Sequence, residues 1–193
     1  MPSPQPRTKR RPHRREQILA AAVVLFHERG YHDTGIDEIG AAAGITGPGV
    51  YRHFRSKDEI LETLVREQGA EVVARVEEIV AGEDDPRAVL ESLARSFAEG
   101  VVANPSLSVV AMYERRTLTQ DTRRWIDRME RRNIEAWVDI VQRVRPELTE
   151  AEARVVVHGA LSLGVAVANY RSGLDDDALI ALMQPMVVSA VLG

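Results

Sequence analysis

Tyr51, Arg52 and His53 follow directly on the run Gly47-Pro48-Gly49-Val50, and Lys57 lies four positions past His53. A phenol, a guanidinium, an imidazole and an ammonium in so short a span are groups that meet phosphates and base edges. Bond-making chemistry has no comparable set. The chain contains no cysteine, so disulfides, thiolate zinc sites and cysteine nucleophiles are excluded. His13, His27, His32 and His53 offer no pair at metal-ligand spacing with a carboxylate on the same helical face, and His158 stands alone. No serine sits in a nucleophile elbow, and no glycine-rich loop follows a strand pattern. The expected chemistry is recognition, with no catalytic residue, metal or cofactor.

The segment that must position those side chains, Thr34 to Leu61, reads as two short helices joined by a tight turn and running into a third. Ile36, Ile39, Ala42 and Ala43 fall at helical spacing. Gly44 then breaks the helix where a positive φ costs a glycine little, and Ile45 returns toward the core. Thr46 is placed to cap the second helix through its hydroxyl, and Pro48 sits in the first turn, where no N–H is needed. Val50 and Phe54 face inward at i, i+4, which leaves Gly47, Gly49, Tyr51, Arg52 and His53 for the outer face. Ser56 opens the following helix, with Asp58 and Glu59 at the positive end of its dipole. A helix, a glycine turn and a second helix form a helix-turn-helix, the layout that sets one helix into the major groove of DNA.

With Gly30-Tyr31 and Thr34 ahead of it, this segment closely resembles the DNA-binding domain of the TetR/AcrR family of bacterial transcriptional regulators. The resemblance rests on Gly30-Tyr31, Thr34, Ile39-Gly40-Ala41-Ala42-Ala43-Gly44, Tyr51-Arg52-His53-Phe54 and Ser56-Lys57-Asp58-Glu59-Ile60-Leu61. It implies that Tyr51 and Lys57 grip backbone phosphates. It also implies that Thr34, Gly35, Thr46, Gly47, Pro48, Gly49, Arg52 and His53 lie near phosphates or base edges. Two positions depart from the family pattern: Gly35 replaces a capping Ser or Thr, and Gly40 replaces Ala. Each glycine should soften its helix by up to about 1 kcal/mol in the interior, and Gly35 brings no side chain to a phosphate.

Charge divides unevenly. Residues 1–58 hold 10 Lys and Arg against 6 Asp and Glu, whereas residues 59–193 hold 15 against 23, so the basic end is the DNA end. Arg7, Lys9, Arg10, Arg11, Arg14 and Arg15 cluster among or just after Pro2, Pro4, Pro6 and Pro12. Residues 1–13 are expected to form a disordered basic arm. Arg10, Arg11 and Arg14 would follow phosphates or enter a minor groove. A hydrophobic share of 45% with only 5% aromatics, mostly Ala, Val and Leu, favours an all-α fold. No apolar run reaches the roughly 18 uncharged residues of a membrane span, and the Arg- and Pro-rich start lacks the apolar stretch of a signal peptide. A cytoplasmic protein with no membrane partner is expected.

Helical patterns recur over about residues 14–29, the two short helices of the motif, 56–81, 86–103, 107–118, 122–144, 155–170 and 175–192, about nine helices in all. Residues 14–58 are expected to form a three-helix DNA-binding domain and residues 59–193 a larger ligand-binding and dimerisation domain. The last two helices carry small and apolar residues around most of their circumference, which a helix with a solvent face does not. The resemblance implies that they pair with those of a second copy. The residues for that homodimer are Val157, Ala160, Leu161, Gly164, Val165, Ala168, Leu182, Met186 and Ala190. The resemblance also implies a ligand cavity among the central helices, where Phe97, Met112, Tyr113, Trp125, Met129, Asn133 and Trp137 suit a small hydrophobic or amphipathic effector. Arg115-Arg116, Arg123-Arg124, Arg128 and Arg131-Arg132 read as a solvated face with surface ion pairs or as the seat of an anionic group.

The resemblance implies a ligand-responsive regulator, a repressor on a palindromic double-stranded DNA operator. The glycines of the recognition face favour a second reading, a helical ligand-binding or interaction protein without sequence-specific DNA recognition.

Overall fold

A computed structural model describes residues 14–103, 117–168, 170 and 172–193, in which Ala168 has its backbone alone described. All regular structure among them is helical: α1 (Arg14–Arg29), α2 (Ile36–Ala42), α3 (Gly47–Val50), α4 (Lys57–Gly82), α5 (Pro86–Ala103), α6 (Gln120–Val144), α7 (Glu150–Ala168) and α8 (Asp176–Leu192). The basic arm with Arg10 and Arg11, and most of the short helix expected over 107–118 with Met112 and Tyr113, lie outside the described residues. The chain divides into two compact units between Ile60 and Leu61.

In the first unit α1 buries Ile18, Leu19, Ala22, Leu25 and Phe26, the face expected from their spacing. Ile39 of α2, Val50 of α3 and Phe54 complete that core, each fully buried apolar side chain contributing about 1.5–3 kcal/mol. Gly30 at φ 85° ends α1, and Gly44 at φ 69° makes the turn between α2 and α3. Gly40 does more than soften α2. A methyl group there would lie 3.0–3.1 Å from backbone atoms of Ile45, Thr46 and Gly47, so a glycine lets α2 and the start of α3 approach closely.

In the second unit Leu90 and Leu93 of α5, Trp137 and Ile140 of α6, Val157 of α7 and Val187 of α8 meet in one core. Side chains close the helix ends. Thr119 Oγ1 accepts from Thr122 N, so α6 begins two residues earlier than the apolar pattern indicated. At the head of α7, Thr149 Oγ1 accepts from Glu152 N at 3.3 Å while the Glu152 carboxylate accepts from Thr149 N at 2.9 Å, a reciprocal cap. Hydrogen bonds from Thr149 hold the Glu152 carboxyl below the usual carboxylate range. Asp175 caps α8 through Ala178 N at 2.8 Å, and the helix continues past Pro185 to Leu192.

The packing corrects part of the expected dimer face. Val157 and Ala160 are buried in the core of their own unit. Gly164 is covered by the Phe97 ring, whose Cζ would lie 3.1 Å from a methyl group placed there. Leu161 is half-buried against the same core, and Val165 is half-buried. The exposed apolar face instead carries Val155, Leu163 and Ala166 of α7 with Leu182, Met186 and Ala190 of α8.

Candidate DNA interface and effector cavity

Thr46 caps α3 by accepting from Gly49 N at 3.3 Å, and Pro48 occupies the first turn. Beyond α3 the chain keeps turning, with His53 N and Phe54 N donating to the Val50 carbonyl at 2.8 and 3.1 Å. Phe54 is thereby driven inward, where the Arg15 guanidinium lies over its ring at 5.1 Å. Tyr51, 57% exposed, and Arg52 are left projecting from the surface beside Thr46 and Pro48, and His53 is half-buried. Arg14 is exposed at the start of α1, its guanidinium donating to Gln17 Oε1 at 2.8 Å.

Three expected contact residues have other work in this fold. Gly47 is buried, and the Asp37 carboxylate fills the space where its side chain would be, so Gly47 is a packing position of α3 and not part of its outer face. Thr34 is 1% exposed, and its hydroxyl donates to the Gly30 carbonyl at 2.8 Å, with the Leu25 carbonyl at 3.2 Å. It satisfies the end of α1. Lys57 donates to the carbonyls of Tyr31 at 2.7 Å, His32 at 3.2 Å and Thr34 at 2.8 Å, and its ammonium lies 4.4 Å from the Tyr31 ring centre. An ammonium has three donors. All are committed, and Lys57 braces the loop between α1 and α2 instead of offering a free phosphate grip. The Tyr31 hydroxyl bonds the Asp58 carboxylate one residue further on.

Gly35 occupies the cap position of α2 without a side chain, yet the cap is not lost. Glu38 reaches back, one oxygen accepting from Gly35 N at 2.8 Å and the other pairing with Arg29 at 2.6 Å. The helix start therefore keeps the half of the reciprocal cap that the third helical residue supplies.

The second unit holds a cavity of about 450 Å³ bordered by α4, α5, α6 and α7. Of the expected ligand residues Phe97, Asn133 and Trp137 line it, the two rings edge to face at 6.3 Å between centres. Asn133 Oδ1 is buried without a hydrogen-bond donor, an arrangement that costs about 1–3 kcal/mol. Sequence spacing missed Glu71, Val72 and Arg75, because they come from the middle of a connecting helix with no local sign of a pocket.

Trp125 and Met129 do not line that cavity. Trp125 packs on α4, where a methyl group at Gly69 would come within 2.9 Å of the indole Cη2. The same place carries a clasp. Arg66 lies over the Trp125 ring at 5.4 Å, pairs with Asp121 at 2.7 Å and donates to Thr122 Oγ1 at 2.9 Å. Glu62 accepts from Thr119 N at 2.8 Å. Partial burial alone would raise the Glu62 pKa, but hydrogen bonds from Thr119 and Thr122 and the charge of Arg66 outweigh it and hold the carboxyl below its usual range. Arg123, Arg124, Arg128 and Arg131 are exposed, and Arg132 pairs with Glu77, which fits a solvated basic face.

Among the described residues no group of three or more metal-ligating side chains gathers, and no helix is long and apolar enough to cross a membrane. Comparison with known proteins places this architecture. A family profile described as "Bacterial regulatory proteins, tetR family" matches residues 18–64. The HTH-type transcriptional repressor KstR2 of Rhodococcus jostii strain RHA1 is 36% identical over 113 residues, 58% of this chain and 54% of the relative. The chain spans about half the length of the curated relatives it matches. A TetR-family transcriptional regulator from Bordetella parapertussis 12822 superposes with a TM-score of 0.81 at 20% identity, covering 91% of this chain and 94% of that one. The ketosteroid transcriptional regulator KstR2 of Mycobacterium tuberculosis superposes at 0.80 and 24% identity, covering 93% and 95%. These structural likenesses establish the fold, and the profile match assigns residues 18–64, the helix-turn-helix segment, to the tetR family of bacterial regulatory proteins.

Proposed function

We propose that this protein is a ligand-responsive, sequence-specific DNA-binding regulator of transcription, a cytoplasmic repressor that leaves a palindromic operator when a small hydrophobic or amphipathic molecule enters the second unit. The observation that carries this reading is the exposed Tyr51-Arg52 pair after the Thr46-capped α3, set on α2 by the close approach at Gly40. Arg14 and the basic arm with Arg10 and Arg11 add phosphate attraction. One short helix reads only a few base pairs, so a homodimer on half-sites about 34 Å apart, or a multiple of that, supplies the rest of the specificity. The exposed apolar faces of α7 and α8 are the surface for that pairing.

Regulation is a shift between a state that fits two successive major grooves and one that does not, with a tenfold loss of operator affinity needing about 1.4 kcal/mol of coupling. Helix α4 begins at Lys57 and also supplies the cavity residues Glu71, Val72 and Arg75, which makes it the path for that coupling. The α3 residues Gly47-Pro48-Gly49-Val50 bring no polar side chain to a base edge, which favours the second reading, a helical binding protein without sequence preference. Selection from a random DNA pool by the purified protein decides between them. A recovered palindrome supports the regulator; salt-sensitive enrichment without a consensus supports the alternative.

A further inference from the structure

Among the described residues the charged lining of the second unit's cavity is mostly acidic: two carboxylates, Glu71 and Glu99, border it with one cation, Arg75, together with the neutral Gln68 and Ser96. Arg75 is already held by Glu78 at 3.0 Å and Glu99 by Arg95 at 2.9 Å, whereas Glu71 has no ion pair among the described residues. On the α6 wall Asn133 holds a buried acceptor with no donor, beside the aromatic surfaces of Phe97 and Trp137.

Resting on the reading of this cavity as the effector site, we propose that its ligand is a lipophilic amine. The apolar body lies against Phe97 and Trp137, the protonated nitrogen faces Glu71, and an N–H donates to Asn133 Oδ1 after a turn of the amide about its soft terminal torsion. Each head group can be judged against this lining. A carboxylate or phosphate brings no donor to Asn133 Oδ1 and sets its charge against Glu71 and Glu99. An alcohol supplies the donor but leaves Glu71 unmatched. Only a protonated amine answers both. The basic run of α6 gives an anion no help, since none of its described arginines lines the cavity. The surplus of Asp and Glu over Lys and Arg across residues 59–193 works in the same direction.

Calorimetric titration of the full chain without DNA, near neutral pH, compares one apolar body with three heads: 4-phenylbutylamine, 4-phenylbutan-1-ol and 4-phenylbutanoate. The amine should bind tightest and the carboxylate weakest, with about a tenfold or larger gap between them. Glu71 is exposed, so Glu71→Gln leaves the core intact and should bring the amine to the level of the alcohol. Asn133→Leu should weaken amine and alcohol together. A carboxylate that binds as well as the amine, an amine preference that persists in Glu71→Gln, or no binding by any of the three overturns the proposal. Because DNA is absent, that failure leaves the operator reading in place. A failed DNA selection, in turn, leaves the ligand preference in place.

Discussion

At Lys57 the same residue admits two roles that a single measurement separates. A phosphate contact contributes to the salt dependence of DNA binding, whereas a brace of the α1–α2 loop contributes to the stability of the reading unit. With its donors on the carbonyls of Tyr31, His32 and Thr34, Lys57 should behave as the brace. We expect Lys57→Ala to lower the stability of the first unit by about 1–3 kcal/mol in denaturant unfolding, while the slope of log affinity against log salt stays unchanged. Arg52→Ala should do the reverse, leaving stability alone and reducing that slope by about one unit. A slope that falls in Lys57→Ala would return the phosphate grip to it. Tyr51 is exposed and free of any burial role, so Tyr51→Phe should weaken binding to all sequences by about 0.5–1.5 kcal/mol without altering unfolding.

Among the elements, the clasp between α4 and α6 depends on a glycine giving room to an indole. Gly69→Ala should push α4 away from Trp125 and lower the thermal midpoint of the second unit, and adding Trp125→Leu should recover part of the loss. Independent, additive losses in the two single variants would show that the ring and the glycine do not meet. The clasp also carries a pH signature. The Glu62 carboxyl titrates lower in the folded chain than in the unfolded one, so its contribution is fully present above the unfolded pKa of about 4.3 and is lost as pH falls through the lower folded value. Glu62→Gln should therefore flatten the acid limb of the stability curve below about pH 4.3 and leave its shape near neutrality unchanged. The cap at Thr46 was legible beforehand because its bond closes within three residues. Gly35 was misleading only on its own, since the compensating Glu38 sits on the far side of the same turn.

For the molecule as a whole, the test of assembly lies on the face that packing leaves uncovered. Leu182, 53% exposed, and Met186 belong to no core of their own unit, so Leu182→Glu with Met186→Glu should give a folded monomer in native mass spectrometry at micromolar protein, with the helical circular dichroism retained. A pair that remains dimeric would move the interface elsewhere. By itself the sequence determined the helical class, the helix-turn-helix, the caps and turns, and the presence of too much apolar surface in the last two helices. Those follow from helical spacing and from hydrogen bonds that close within a few residues. Only the tertiary structure decided which side of α7 faces its own core, because a helix apolar all round has no preferred face until Phe97 covers Gly164. It also decided which polar groups remain available. Lys57 is used up by a loop distant in sequence and Trp125 by α4, whereas Asn133 is left with an unmet acceptor. Spacing cannot reveal such commitments, since each depends on where a second element comes to rest.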